Sequence, residues 1–341
     1  MEVANHSVLL KNNKTTRIYV LALGGTIASV AKSQAEEFYD KPSADIHTLL
    51  SALNLDKTKL EVIGEQLLQK ISHEISNDDL LIVARRVHDL VNDEDIHGIV
   101  ITHGTNCIEE TAYFISLVIN TKKPIVFTGS FRPYKALGYD GDKNLYNSIL
   151  LASNEKAFGL GVVLTFNDSI VNARDACKLN PSIIGDFSIN GVGVIGDIQG
   201  QQINIHSVVQ HRHTHSSEFS INDMRIFAKI YIIYGHMGMD DTFVKAAISN
   251  NAKGIISSGM GKGYQPEEVK NALIRASNKG TLVVRCSRTG QGTVNRDPKM
   301  DDNHGTIAAG SLSPQKARIL LAVALTKTQN VVEIQRIFDQ Y

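Results

Sequence analysis

The sequence predicts an α/β fold with a larger N-terminal doubly wound domain followed by a smaller C-terminal α/β domain. Three observations carry this expectation. Short continuous apolar runs, of the kind that form strands buried on both faces, alternate with segments of helical apolar periodicity. The chain has 341 residues, long enough for two domains with a substantial core. A polar stretch, 205–222, containing His211-Arg212-His213-Thr214-His215, interrupts the alternation before it resumes.

The elements follow in order. A buried strand is expected at 18–23 and a helix at 78–91, with Ser76 or Asn77 as N-cap and Asp78 and Asp79 in the first turn, where the positive end of the dipole favours acids. Strands at 99–102, 125–128 and 160–166 flank a second helix at 109–120. Beyond the polar stretch, strands at 229–234, 254–257 and 281–285 are separated by helices, and a helix follows at 314–326. The expected division is 1–204 for the N-terminal domain, 205–223 for a linker and 224–341 for the C-terminal domain.

Composition removes several classes of function. Lys and Arg number 35 against 35 Asp and Glu, with no basic block, which argues against a nucleic-acid partner. No apolar run approaches the ~20 residues that span a bilayer, so no membrane association is expected. Residues 1–17 lack the apolar centre of a signal peptide, so a cytoplasmic location is favoured, or a periplasmic one if an export signal has been removed. The three cysteines have neither metal-site nor disulfide-framework spacing. His211, His213 and His215 alternate along an extended segment and could turn imidazoles to one side, but no carboxylate or cysteine accompanies them; a solvated linker is expected rather than a metal site. The turn at Gly24-Gly25 lacks both GxGxxG and the Walker lysine, so no nucleotide and no other cofactor is indicated.

The chemistry-bearing residues lie in two turns, Gly24-Gly25-Thr26-Ile27-Ala28 and His103-Gly104-Thr105-Asn106. Each holds a glycine-framed threonine just beyond an expected strand, at the edge of a parallel sheet where ligands collect. Together with 23–28 (LGGTIA), the segments 101–114 (ITHGTNCIEETAYF), 174–178 (RDACK), 254–263 (GIISSGMGKG) and 313–341 resemble the bacterial L-asparaginase family, type II branch, over nearly the whole chain.

The resemblance implies an amidohydrolase that needs no cofactor, converts a side-chain carboxamide into carboxylate and ammonia, and works through a threonyl acyl-enzyme. Thr26 would be the nucleophile and Tyr39 its proton relay. Thr105 and Lys178 would form a second hydroxyl–amine pair, in which a desolvated lysine acts as base. Backbone amides of the glycine turn and of the Thr105 region would stabilise the oxyanion. Gly25, Ser72, Gly104 and Ser130 fall among the implied substrate-binding positions, with Ser72 holding an α-carboxylate. Relatives assemble as tetramers of intimate dimers in which the partner's smaller domain completes each pocket, and the same assembly is implied here. Periplasmic relatives often carry a disulfide upstream of the HGT motif; its first cysteine has no counterpart in this chain.

Four positions depart from the family pattern. His73 stands where glutamine is usual, Asn106 where aspartate is usual, Lys262 where asparagine or a small residue is usual, and Lys299 at the position aligned with a glutamate delivered across the subunit interface. The family's aspartate and glutamate grip the substrate α-ammonium, so the exchanges move the local charge by about four units toward positive. The implied substrate keeps the amide and a carboxylate but lacks a free α-ammonium, or carries an added anionic or sugar-like group near the α-nitrogen. Ordinary asparagine or glutamine hydrolysis is the alternative if Lys262 and Lys299 face solvent or pair with Glu267, Asp301 or Asp302. A catalytically weak binding paralogue is a further one.

Other residues have structural readings. Arg132 is expected as an ion-pair partner beneath the pocket beside Asp140 and Gly141, and Arg174 and Asp175 as locks on the loop presenting Lys178. Glu109 and Glu110, consecutive on a helix and therefore ~100° apart, cannot form a facing pair and would compensate the dipole.

Overall fold

The computed structural model describes residues 15–35, 41–181, 183–185, 187 and 192–341. In chain order the N-terminal part contains β1 (Thr16–Gly24), α1 (Ile46–Ser51), β2 (Leu60–Lys70), α2 (Asn77–Asn92), β3 (Gly98–Thr102), α3 (Ile108–Val118), β4 (Ile125–Thr128), α4 (Gly141–Ala152), β5 (Val162–Phe166), β6 (Ser169–Asn172), β7 (Val194–Gln199) and β8 (Gln202–Ile205). These strands form one sheet in the order β2-β1-β3-β4-β5-β6-β7-β8. The strands from β2 to β5 run parallel; β6, β7 and β8 add antiparallel pairings.

The second part holds β9 (Ile230–Tyr234), α5 (Thr242–Ser249), β10 (Gly254–Gly259), α6 (Glu267–Asn278), β11 (Leu282–Ser287), β12 (Thr306–Ala308), α7 (Pro314–Ala324) and α8 (Val331–Gln340), with an all-parallel sheet ordered β12-β11-β10-β9.

Alternation along the central strands explains why both sheet faces are covered. Leu21, Leu23, Ile99, Ile101 and Phe127 join one core with α2 and α3, whereas Val20, Ala22, Val100 and Val126 join a second core with α1 and α4. Each such fully buried aliphatic side chain contributes ~1.5–3 kcal/mol. The first core continues into the smaller domain through Ile256, Val284, Ile307 and the α7 residues Leu320 and Leu321, so the two domains share apolar packing. A separate cluster, including Val244, Ile255, Val269 and Val283, lies between the smaller sheet and its outer helices.

The stretch expected as a solvated linker is exposed at 206–208 but packed over much of its later part. Phe219 and Ile221 are buried in the shared core, and Arg212 reaches Glu218 and the Gln340 side chain. Its apolar residues are too few to show a period but sit where two short 3-10 turns aim them inward. His213 Nδ1 lies 2.9 Å from Thr214 Oγ1, and its ring packs edge-on against His215.

Candidate functional site

The parallel register sets the site. Ala22 of β1 pairs with Thr102 of β3, and Thr102 pairs with Thr128 of β4, so the segments leaving these strands emerge side by side at one sheet edge. Gly24 pairs with Lys70, which brings the segment after β2 to the same place.

Three backbone turns then touch. A Cβ on Gly25, whose φ is 83°, would lie 2.3 Å from the Gly104 Cα, and one on Gly104 would lie 2.6 Å from Ser72 Oγ. Only hydrogen fits at these positions, so the turns of Thr26 and Thr105 are in direct backbone contact and the Thr105 turn packs on the Ser72 side chain. All three are buried. Ser72 Oγ accepts from the Asn106 N–H at 3.2 Å, and Cys107 Sγ donates to the Ser72 carbonyl at 2.8 Å, tying the Ser72 turn to the start of α3. The Cys107 thiol is pushed up to about 12 by burial, so it acts as a neutral donor rather than a nucleophile. On the other side, Lys70 bonds both carboxylate oxygens of Asp79 at 2.8 and 2.9 Å, while Asp79 and Ser76 form the reciprocal cap of α2.

Lys178 completes the cluster. Its Nζ donates to Thr105 Oγ1 at 2.8 Å and to Asn106 Oδ1 at 3.4 Å, and sits 4.9 Å from the centroid of the Phe131 ring. Burial lowers the Lys178 ammonium from its ordinary value, with the Glu109 carboxylate acting in the opposite direction. This is the electrostatic setting in which an amine can be held ready to accept a proton. Asn106 also reaches His73 Nδ1 at 3.4 Å, so one of the departing positions contacts another.

The structure thus brings together Gly25, Thr26, Ser72, His73, Gly104, Thr105, Asn106 and Lys178. Ser130 lies on the adjacent β4 loop, fully buried, with its hydroxyl turned to the Arg132 carbonyl at 2.6 Å. Tyr39 lies outside the described residues. Lys262 and Lys299 are grouped with each other instead. Arg285 donates to the Lys262 carbonyl at 2.7 Å and pairs with Asp301, in the same turn as Lys299, at 2.6 Å. Among the described residues no hydrogen bond or ion pair joins either lysine to the threonine cluster. The acids that could neutralise them are engaged elsewhere: Asp301 with Arg285, Asp302 with Arg296, and Glu267 with Lys270.

Several expectations are revised by this geometry. The Gly25 N–H already donates to the Lys70 carbonyl at 2.9 Å, so it is committed to holding the turns together, while the Gly104 and Thr105 amides have no acceptor among the described residues. Arg132 is exposed and bonds the Gly138 carbonyl at 3.0 Å rather than Asp140, whose carboxylate takes the Phe131 and Arg132 N–H groups. Glu109 is more than a dipole compensator: its buried carboxylate accepts the Lys178 N–H at 2.6 Å. Arg174 and Asp175 do pair, at 2.9 Å. Sequence reasoning missed Lys316, Phe131 and Arg285. The signals were a lysine inside the apolar face of 314–326, an aromatic next to Arg132, and an arginine in an apolar strand.

Comparison with known proteins agrees with the geometry. Residues 17–211 match the model described as Asparaginase, N-terminal, and residues 229–338 match the Glutaminase/Asparaginase C-terminal domain. The chain belongs to the asparaginase family. A glutaminase-asparaginase of Pseudomonas aeruginosa is 38% identical over 344 aligned positions, covering 100% of this chain and 94% of that protein. L-asparaginase 2 of Escherichia coli is 34% identical, covering 95% and 93%. A crystal structure of a probable cytoplasmic L-asparaginase from Campylobacter jejuni superposes with a TM-score of 0.92 at 34% identity, covering 96% of this chain and 100% of that one. This asparaginase-family chain is accordingly an amidohydrolase. Among the described residues, no helix is long and apolar enough to cross a membrane, and no group of three or more His, Cys, Asp or Glu is arranged to hold a metal ion.

Proposed function

We propose that this asparaginase-family enzyme hydrolyses a side-chain carboxamide through Thr26, with specificity shifted from free asparagine toward an amide that lacks a free α-ammonium or carries an added anionic group. The Thr26 hydroxyl oxygen attacks the amide carbon, with Tyr39 relaying the hydroxyl proton toward the leaving nitrogen. The C–N bond breaks, ammonia departs, and the acyl group remains on Thr26. Water then adds to the ester under general-base assistance from the Thr105–Lys178 pair, releasing the carboxylic acid and restoring the hydroxyl. The Thr105 and Gly104 amides are the donors for the developing oxyanion, and Ser72 with its turn receives a substrate carboxylate.

The observation that carries the specificity shift is the 3.4 Å contact between Lys178 Nζ and Asn106 Oδ1: a neutral amide occupies the position beside the catalytic pair where a carboxylate would grip an ammonium. One lost charge-assisted contact weakens binding of such a head group by ~1.5–3 kcal/mol. The exposed Lys262 and Lys299 add positive charge that an anionic substituent would meet when a partner's smaller domain closes the pocket, in a tetramer of intimate dimers divided as 1–204, 205–223 and 224–341.

Ammonia release across a panel tests the reading: free asparagine and glutamine, amides of dicarboxylic and tricarboxylic acids, and asparagine with acidic or sugar-like N-substituents, each beside Thr26→Ala. The expected result is Thr26-dependent turnover with the highest kcat/KM on a modified amide. Preference for free asparagine overturns the shift, and Thr26-independent turnover overturns the nucleophile. Binding of an amide without turnover by the parent identifies a binding paralogue instead.

A further inference from the structure

Helix α7 carries a lysine that the reaction as described does not use. Lys316 is 2% exposed, and its Nζ crosses from the smaller domain to donate to the Arg174 carbonyl at 2.7 Å and to the Ala176 carbonyl. It also lies 5.9 Å from the centroid of the Tyr113 ring. Those two carbonyls belong to the loop that ends in Lys178. On the other side of the same loop, Glu109 Oε2 accepts the Lys178 N–H at 2.6 Å. A buried ammonium and a buried carboxylate therefore grip one short loop from α7 and α3, one clamp two residues before the candidate base and the other on its own backbone.

We infer that Lys316 and Glu109 are a coupled pair of positioning residues that fix the reach and the proton affinity of Lys178, making the catalytic pair dependent on the packing of the smaller domain against α3. This deepens the proposed function and rests on its assignment of Lys178 to the catalytic pair.

Burying an ammonium is unfavourable unless its protons are satisfied, and here two of the three are taken by loop carbonyls. The loop cannot swing Lys178 away from Thr105 without leaving that ammonium unsatisfied in a closed interior. In charge terms, Glu109 on α3 acts on both Lys178 and Lys316, and Arg174 and Asp175 on the loop act on Lys316, while the uncharged Thr105 and Asn106 after β3 and Phe131 after β4 touch Lys178 directly. Arg174 and Asp175 pair with each other, leaving Glu109 and Lys316 as the opposed charges. Burial lowers the Lys316 ammonium and Glu109 raises it, the same carboxylate that raises Lys178. Lys316 and Lys178 thus share the field of one carboxylate, and on the inferred coupling the charge of Lys316 offsets the hold of Glu109 on the Lys178 proton.

Removing each charge should move Lys178 in opposite directions. Lys316→Met leaves Glu109 unopposed, so the acid limb of the kcat profile shifts upward by ~1 pH unit and turnover on that limb falls ~10-fold. Glu109→Gln keeps an oxygen that can accept the Lys178 N–H but removes the charge, so the limb shifts downward by a similar amount. The double variant returns the limb to near its parental position. KM should stay within about twofold throughout, because neither residue touches the substrate pocket.

The experiment records kcat and KM against pH for the parent, both single variants and the double variant, with thermal unfolding of each, on the best amide substrate. Opposed shifts that cancel in the double variant support the pair. Shifts of the same sign, additive losses independent of pH, or an unmoved limb overturn it. If Lys316→Met does not fold, the Glu109→Gln limb alone decides, a downward shift supporting the pair and any other result rejecting it. Lys178→Ala separates the two levels: unchanged turnover rejects the underlying catalytic reading, whereas lost turnover with unmoved limbs in the other variants rejects only the coupling.

Discussion

Asn106→Asp places a carboxylate where the structure has an amide oxygen 3.4 Å from Lys178 Nζ. Two unit charges at about that distance attract by ~4–5 kcal/mol at an effective dielectric of ~20. Asn106 is exposed and Lys178 only partly covered, so solvent screening reduces this to ~1–2 kcal/mol, or about one pH unit in the proton affinity of Lys178. A neighbouring carboxylate favours the charged ammonium, the neutral amine becomes available only at higher pH, and the acid limb of kcat moves upward by about one unit. The same carboxylate also restores a partner for a substrate α-ammonium. KM for free asparagine should therefore fall ~10-fold, while an amide with an anionic group near the α-nitrogen binds more weakly. Steady-state kinetics from pH 5 to 9 on both substrates reads the two effects separately. An unmoved acid limb refutes the Lys178 argument, and an unchanged asparagine KM refutes the specificity argument, even if the other effect is seen.

Two further outcomes follow from the turns beneath the site. Gly25→Ala should remove activity and destabilise the fold, because its Cβ would lie 2.3 Å from Gly104 backbone atoms at a φ of 83°; parental kcat with unchanged thermal unfolding contradicts the packed-turn geometry. His103 is fully buried, its Nδ1 2.7 Å from the Gly104 carbonyl oxygen and its Nε2 2.9 Å from Thr111 Oγ1; burial holds it at about 4, against ~6.5 in an unfolded chain. Between those values the unfolded chain binds the extra proton. The stability due to neutral His103 is thus full above ~6.5 and lost as pH falls toward 4, at ~1.4 kcal/mol per unit. Urea unfolding of the parent and His103→Gln across pH 4.5–7 should show a shallower pH slope in the variant, and equal slopes reject the assignment.

The strands at 18–23, 99–102 and 125–128 were legible because each is a continuous apolar run, and a strand covered on both faces has no polar alternation to hide it. β2 was not, since Leu60–Lys70 mixes Glu61, Glu65 and Gln66 with aliphatics along a partly exposed sheet edge, a pattern that reads as neither buried strand nor amphipathic helix. The antiparallel strands β6 to β8 were likewise missed: at four to six residues with Asn172, Asp197 and Asn204 inside them, they are too short and polar to register as a period. Part of the site was readable for a different reason. Glycine-framed threonines after strands are a local signal, and the family resemblance supplied their order. Ser72, His73 and Asn106 converge through long-range pairing of β1 with β2 and β3, which no local window contains.

What remained hidden in the sequence is mostly charge in apolar company, and this bears on how the site is built. Lys316 and Arg285 both sit inside elements whose other residues are core, and both spend their donors on backbone carbonyls of loops that carry candidate site residues. Arg285 also forms a buried pair with Asp301, 7% and 1% exposed, in the turn bearing Lys299. Such a pair adds little net stability over apolar residues of equal volume, yet breaking one side costs ~3–5 kcal/mol. Its advantage is directional, because an apolar substitute would fill the same space without fixing the Lys262 carbonyl or the turn that offers Lys299. The smaller domain thus holds two loops through cations buried in its own core: one is the loop of Lys178 within this chain, and the other is the lysine-bearing surface proposed to meet a substrate across a subunit boundary. Lys262 and Lys299 therefore stand on a support separate from the threonine cluster, whereas His73 and Asn106 lie within it, and the hydroxyl–amine pair stays assembled beside Asn106 through the 2.8 Å bond from Lys178 to Thr105.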